Sequence, residues 1–432
     1  MPQTVFISRS QLRKARLADE VANYRLAPLP AWPLWVLLYA FPVIWAMGLM
    51  QFAPTLLAAV MLMYMYLRRS IITFGPQWLW MALIAWCLLC VVALDSPSQF
   101  LGWALRFINI FNVGVYSLYF LNAREKISNQ SMLGGLFVVW LTVVVMGYMG
   151  IFFPEARLIT PMSYVLPDSL TRNELVRDYV MPPMAEVQMP WGAPKPYIRP
   201  SAPFPYANSW GLAYTFLTPV VMAIYAAVLS WRIRAVLTVL LCASVVPAIA
   251  TSNRAMFIGL GVSASYVIFR QALKGRWVGA ISGILIFGGA ALYMWLSGAA
   301  TQILGRQEYS DSTGGRLALY ESTWEATLKS PFIGYGTSKM NYEIGVSMGT
   351  QGYMWALMFC FGLVGLGIFL LFIGFSIAST WRVQSSAGMW VHSLPIVTLS
   401  VFAFYSLDIM QLSTLMLCIS LMMRSKIYGE GL

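Results

Sequence analysis

Three arginines stand in contexts that set them apart from the rest of the chain's 28 lysines and arginines. Arg199 opens the proline-rich stretch RPSAPFPYANSWG, Arg254 lies in TSNRAMFIGL, and Arg316 lies in TGGRLALY. A guanidinium keeps its charge and donates through a planar fork, so several converging on one point make a seat for a phosphate or pyrophosphate. Taken singly, each also reads as an interfacial anchor whose stem lies along apolar surface. The carboxylates that could serve as acid or base beside them are Asp311, Glu321, Glu325 and Glu343, with Glu321 and Glu343 the better placed. No Asp-x-Asp pair and no cluster of His and carboxylates at metal-ligand spacing occurs on the connecting segments 154–207 and 298–352. The expected chemistry is therefore metal-independent and uses no cofactor.

Stepping from these residues to their scaffold, composition places the chain in a membrane. Hydrophobic residues make up 59% and charged residues 10%, and the mean hydropathy is +0.69, far outside the soluble range. Apolar runs long enough for roughly 30 Å of hydrocarbon lie near 31–50, 51–67, 77–94, 99–121, 131–153, 208–230, 235–250, 254–269, 277–297, 353–378, 389–406 and 409–423. The expectation is an all-α polytopic membrane protein of about 12 transmembrane helices. A polar segment 1–30 leads into helices 1–5 (31–153), a proline-rich loop (154–207), helices 6–9 (208–297), a second loop (298–352), helices 10–12 (353–423) and a tail (424–432).

Basic residues near span ends are retained in the cytoplasm, and here they fall on every second connection: Arg68 and Arg69, Arg124 and Lys126, Arg232 and Arg234, Arg270 with Lys274 and Arg276, Arg382, then Arg424 and Lys426. With the N-terminus inside, that side carries 17 Lys and Arg against 4 Asp and Glu, and the other 10 against 12, with Arg106 inside a span. The net charge of +12 is then a matter of topology, and a nucleic-acid partner is not expected. Both long loops fall outside, both termini in the cytoplasm, and the first helix is expected to stay as an uncleaved anchor.

The first loop holds 11 of the 23 prolines and should be stiff and extended, with a short helix only at PDSLTRNELVRDY, 167–179. The second should carry a helix from about Gly315 to Lys329, whose apolar residues Leu317, Tyr320, Trp324 and Leu328 can lie on the bundle or on the headgroup region. The aromatic residues Trp191, Tyr197, Phe204, Tyr206 and Trp210 read either as a sugar-stacking platform or as an ordinary aromatic belt. Asn208 belongs to the same group, as a residue that touches sugar or merely seats the helix. Cys87 and Cys90 form a C-x-x-C in mid-helix with no second pair, which points to packing rather than metal or redox chemistry. Arg106 admits a structural partner, Asp95 or Asp408, as readily as a substrate.

The order of motifs resembles a known family. R-P-x-x-x-F-x-x-x-N runs from Arg199 to Asn208, S-x-R-A from Ser252 to Ala255, G-R-x-x-x-Y from Gly315 to Tyr320, and S-P-x-x-G-x-G from Ser330 to Gly336. G-T-x-x-x-x-x-x-L-x-x-x-x-G-L-x-G-L follows from Gly349 to Leu366. Over about 195–370 this is similar to the O-antigen ligase and polysaccharide polymerase superfamily, the Wzy-, WaaL- and ExoQ-like membrane glycosyltransferases. The resemblance implies a GT-C-like fold in the bacterial inner membrane, with its active site on the periplasmic side. It implies a donor glycan on undecaprenyl pyrophosphate, an acceptor that is another lipid-linked repeat or lipid A core, and a pyrophosphate held by Arg199, Arg254 and Arg316. A chain-length regulator or export machinery would be its partner.

One departure from the family pattern concerns the slot after Gly349 and Thr350, where ligases commonly carry a histidine and this chain carries Gln351. The only histidine, His392, falls at the other end of a span and reads as a helix-end residue. Either a carboxylate, Glu321 or Glu343 foremost, serves as base or none is needed because pyrophosphate is already a good leaving group; Gln351 is the catalytic candidate in the histidine's slot, and polymerase is favoured over ligase. A lipid-linked oligosaccharide flippase or other transporter is the rival from another class, but it needs polar groups near the midplane, where Arg106 alone is charged.

Overall fold

The structure, a computed structural model, describes residues 28–69, 71–172, 174–189, 196–296, 298, 312–342 and 345–431, without the side chains of 170, 175 and 312–316. It is mostly helical. Peptide groups in hydrocarbon must find partners within the chain, and a helix supplies them locally. In order come α1 (Trp32–Tyr39), α2 (Phe41–Ala46), α3 (Ala53–Arg68), α4 (Gly75–Leu89), α5 (Phe100–Asn122), α6 (Asn129–Phe152), α7 (Ala207–Ala227), α8 (Trp231–Ala250), α9 (Arg254–Leu273) and α10 (Trp277–Leu296). After these come α11 (Ser312–Lys329), α12 (Tyr353–Thr380), α13 (Ser386–Val401) and α14 (Ile409–Tyr428).

Among the described residues eight helices are long and apolar enough to cross a membrane, and α3 and α13 are shorter apolar helices. The chain is thus a membrane-embedded helical protein, with a coarser count than the twelve runs suggest. The run 31–50 yields two short helices, α1 and α2, each with proline in its first turn (Pro33, Pro42). Proline is preset for a helix start and cannot donate to the turn before it, so the run divides there. The run 409–423 becomes α14, buried almost throughout from Met410 to Arg424. It packs on α5, α7, α12 and α13, while α13 also packs on α7 and α9.

α12 is broken inside. Gly362 has φ 70° and ψ 179°, far from helical values, which leaves backbone groups on both sides without helical partners. Each group at the break finds another. Tyr335 N–H donates to the Phe359 carbonyl (2.9 Å) and Gly336 N–H to that of Cys360 (2.8 Å). Trp86 Nε1 donates to Phe361 O (2.8 Å), and Leu363 N–H donates to Pro331 O (2.7 Å). The segment Ser330–Gly336 is therefore docked on the break through its backbone. A side chain is impossible at Gly362, where a Cβ would stand 1.9 Å from Phe332 O, and at Gly334, where it would stand 2.5 Å from Phe359 O.

Both long connections meet the bundle at one end. The first contains short helical turns at Pro161–Val165, Asp168–Thr171 and Glu174–Val180, so the single helix expected over 167–179 is divided and an earlier turn is added. It then forms an antiparallel ribbon of β1 (Ala185–Gln188) and β2 (Tyr197–Pro200) with Glu186 opposite Arg199. The second ends in β3 (Lys339–Asn341) paired with β4 (Val346–Met348). On α11 the buried stripe is Leu319, Thr323 and Thr327. Leu317, Trp324 and Leu328 are exposed, so of the two placements expected for this face, bundle or headgroup region, these three do not take the bundle; the buried threonine hydroxyls donate to Leu319 O and Thr323 O within the helix.

Candidate anion site at the loop end of the bundle

Arg199 leaves β2 and is only 4% exposed. All three nitrogens of its fork donate to protein: Nε to Thr251 O (2.9 Å), Nη1 to Glu186 Oε2 (3.1 Å) and Nη2 to Asn208 Oδ1 (2.9 Å). Glu186 also accepts from the Ala207 amide through Oε1 (2.8 Å). One buried ion pair thus ties the ribbon to the start of α7 and to the turn before α9. Such a pair is costly to break, since either partner left alone is a buried charge. Arg199 is expected to grip phosphate; what the structure gives it is a supporting part, with each of its three nitrogens donating to the scaffold.

The turn that accepts from Arg199 carries the second arginine. Thr251 closes α8 and Ser252 takes φ 50°, a left-handed conformation uncommon for a residue with a side chain. Asn253 then caps α9, accepting from the Met256 amide (3.2 Å). The same Asn253 oxygen accepts from the Tyr405 hydroxyl, and its amide donates to Asn208 O (3.4 Å). Arg254 follows as the first residue of α9, half-buried. Among the described residues its guanidinium has no hydrogen-bond or ion-pair partner. The positive end of the helix dipole lies at the same place, so the feature left unanswered in this turn is a held cation.

α11 reaches the same neighbourhood through aromatic contacts. Tyr320 stacks on Trp355 with centroids 4.4 Å apart and planes 9° from parallel. Trp355 Nε1 donates to Ala403 O (3.1 Å), two residues before Tyr405. Arg316 lies one helical turn before Tyr320, with its side chain outside the description. Gln351 precedes α12, whose first amides donate to Tyr405 O and Phe402 O, and is half-buried. Glu321 is exposed on α11, whereas Glu343 and Asp311 lie outside the described residues.

No family model, curated protein or solved structure matches this chain.

The remaining expected residues divide between structure and surface. Trp210 is 0% exposed, stacks on Tyr214 and donates to Val143 O (2.9 Å). That burial corrects its reading as a sugar contact. Phe204 is likewise buried, and Trp191 lies outside the described residues. Tyr206 is 44% exposed at the cap of α7, and its hydroxyl is held up in pKa by burial and then by Asp178, Glu186, Glu174 and Asp408. Asn208 supports Arg199 rather than facing outward with its oxygen. Arg106 does not meet Asp95 or Asp408. It donates to Thr337 Oγ1 (3.1 Å) and Ser338 Oγ (3.0 Å) and so latches the segment docked on α12. Asp95 pairs instead with Lys339, and Asp408 caps α14 while accepting from Ser209 Oγ (2.9 Å).

His392 lies inside α13 (Ser386–Val401) rather than at a helix end and is fully buried, with its ring between Tyr266 OH (2.5 Å) and Ile377 O (3.1 Å). Cys87 and Cys90 are buried free thiols, and Cys90 falls in a 3-10 turn beyond α4. Sequence reasoning missed Glu186, Tyr405 and the latch on Thr337 and Ser338. Only Asn253 gave a local signal, as a cap residue directly before an apolar run.

Proposed function

We propose that this chain is an inner-membrane glycosyltransferase of GT-C-like architecture that polymerises oligosaccharide repeats carried on undecaprenyl pyrophosphate into a surface polysaccharide or exopolysaccharide. In this reading the end of the bundle bearing both long connections faces the periplasm. The observation that carries it is Arg254, a cation without a protein partner among the described residues, fixed at the start of α9 by a cap and a strained turn. Arg254 sits in the motif that the family resemblance assigns to pyrophosphate, and Arg316 on α11 is its companion from the second loop.

In the reaction the acceptor hydroxyl of one lipid-linked repeat attacks the anomeric carbon of another. The anomeric C–O bond breaks, and the electron pair leaves with the undecaprenyl pyrophosphate. Negative charge grows on the leaving group, and a cation already in place stabilises it without reorganising at the moment of reaction. Arg199 acts as a positioning residue, since it holds Thr251 and Asn208 around the turn from which Arg254 projects. The acceptor proton passes to a base among Glu321, Glu343 and Gln351's surroundings or to the departing pyrophosphate.

The test is reconstitution of the purified protein with lipid-linked repeat units and gel analysis of the products. A ladder supports polymerisation, transfer to lipid A core marks a ligase, and turnover of neither kind leaves a transporter. Arg254→Ala should lose the ladder while keeping the thermal unfolding profile of the parent.

A further inference from the structure

The opposite end of the bundle holds a second, unneutralised cluster of cations. α9 ends at Leu273, α10 begins at Trp277, α12 ends at Thr380 and α13 begins at Ser386. The two turns joining these helices, 274–276 and 381–385, are stitched together. Buried Arg270 donates through Nη2 to Trp381 O (2.7 Å) and Val383 O (3.3 Å), and its guanidinium lies 4.4 Å over the Trp381 ring. Lys274 donates to the same Val383 carbonyl. Arg276 donates to Ser386 Oγ (3.4 Å), and Arg382 is exposed on the second turn.

Among the described residues, none of these four cations has a carboxylate partner. The Lys274 ammonium is pushed down in pKa by burial and then by Arg270 and Arg276, which is what crowding of like charges does when no anion sits between them. The positive end of α13 points into the same corner, where Ser385 caps it by accepting from the Gly388 amide.

We propose that this corner binds the phosphodiester of an acidic phospholipid from the surrounding leaflet. Four apolar helices stop there, which sets it at headgroup depth. Trp277 (62% exposed) and Trp381 (46% exposed) flank it as interfacial tryptophans do. α10 leads away from it with Ala280 alone among its residues buried, so acyl chains have an apolar helix face to follow. A free phosphate would use the cations but neither the tryptophans nor α10. The site is separate from Arg254, and it stands whichever way the protein faces and whatever reaction it performs.

The test is titration of the full-length protein in nonionic detergent with phosphatidylglycerol or phosphatidylcholine, read by native mass spectrometry. The wild type should bind phosphatidylglycerol in preference to phosphatidylcholine. Each cation near a membrane surface contributes about a fivefold factor for an acidic lipid, so Arg276→Gln with Arg382→Gln should weaken phosphatidylglycerol by roughly 25-fold, and Arg276→Lys with Arg382→Lys should restore most of it. A matched loss of charge elsewhere at this end, Arg69→Gln with Lys126→Gln, should leave binding unchanged. Equal binding of the two lipids, equal loss in the matched control, or displacement of phosphatidylglycerol by inorganic phosphate at equimolar level would each overturn the proposal. Thermal unfolding of each variant shows whether it is folded, and the lysine pair keeps the comparison valid if the glutamine pair is not.

Discussion

Replacing Gly362 by alanine should unhook the docked segment from α12. The new methyl would stand 1.9 Å from Phe332 O, and φ 70° with ψ 179° lies in a region that is essentially glycine's alone, at a strain of about 1–3 kcal/mol for other residues. The clash is with backbone, so it is relieved only by separating Pro331–Gly336 from the break. That gives up the bonds Leu363 to Pro331, Tyr335 to Phe359 and Gly336 to Cys360, at about 1 kcal/mol each. The combined destabilisation is about 4–6 kcal/mol. Thermal unfolding in detergent by tryptophan fluorescence should show a Tm several degrees lower, and Cys360, now buried, should become reactive toward a thiol reagent. Gly367→Ala on the same helix is the control, since a Cβ there meets nothing within 4 Å. If Gly362→Ala matched Gly367→Ala in Tm and left Cys360 protected, the account of the break would be wrong.

Three other outcomes follow from the contacts. Glu186→Ala, which leaves the buried Arg199 charge without its carboxylate, should cost about 3–5 kcal/mol, Arg199→Ala should cost less because Glu186 is only half-buried, and the double variant should be less destabilised than the sum, measured by a double-mutant cycle in Tm. Trp210→Phe should lower Tm through loss of the bond to Val143 O while leaving the Km for oligosaccharide unchanged; a change in Km alone would restore Trp210 as a sugar contact. Asp95 is held below its ordinary 3.8 by hydrogen bonding to and charge of Lys339, so its contribution is present above that value and is lost as pH falls through the lowered one. As pH falls below 3.8 the wild type should therefore lose an increment of Tm that Asp95→Asn does not show.

The membrane class and most helix positions were legible because they rest on composition and run length, which need no knowledge of neighbours. α6, with its Ser128 cap, and α7 fall close to the expected runs. The break in α12 was not legible, because Gly362 sits in an unbroken apolar run and declares itself only through Phe332 and Pro331, some thirty residues earlier. The face of α11 was legible only as a choice between bundle and headgroup region. Leu317, Trp324 and Leu328 are exposed, while Tyr320 stacks on Trp355 of α12 and the buried residues are Leu319 and two threonines whose hydroxyls are satisfied within the helix. In the candidate site, the importance of Arg199 was visible from its motif, but its part depends on Glu186, thirteen residues away and across a ribbon that no local pattern announced. Arg254 was legible as a cation at a helix start. That it is the one of the pair left without a protein partner among the described residues needed the contacts.

The central claim is that Arg254 supplies the charge for a glycosyl pyrophosphate leaving group. The most direct measurement is the initial rate of polymer formation from purified lipid-linked repeat units by the wild type, Arg254→Lys and Arg254→Ala, each at equal Tm. The account predicts no ladder from the alanine variant and partial activity from the lysine variant, which keeps the charge and loses the fork. Wild-type rates from Arg254→Ala would contradict it.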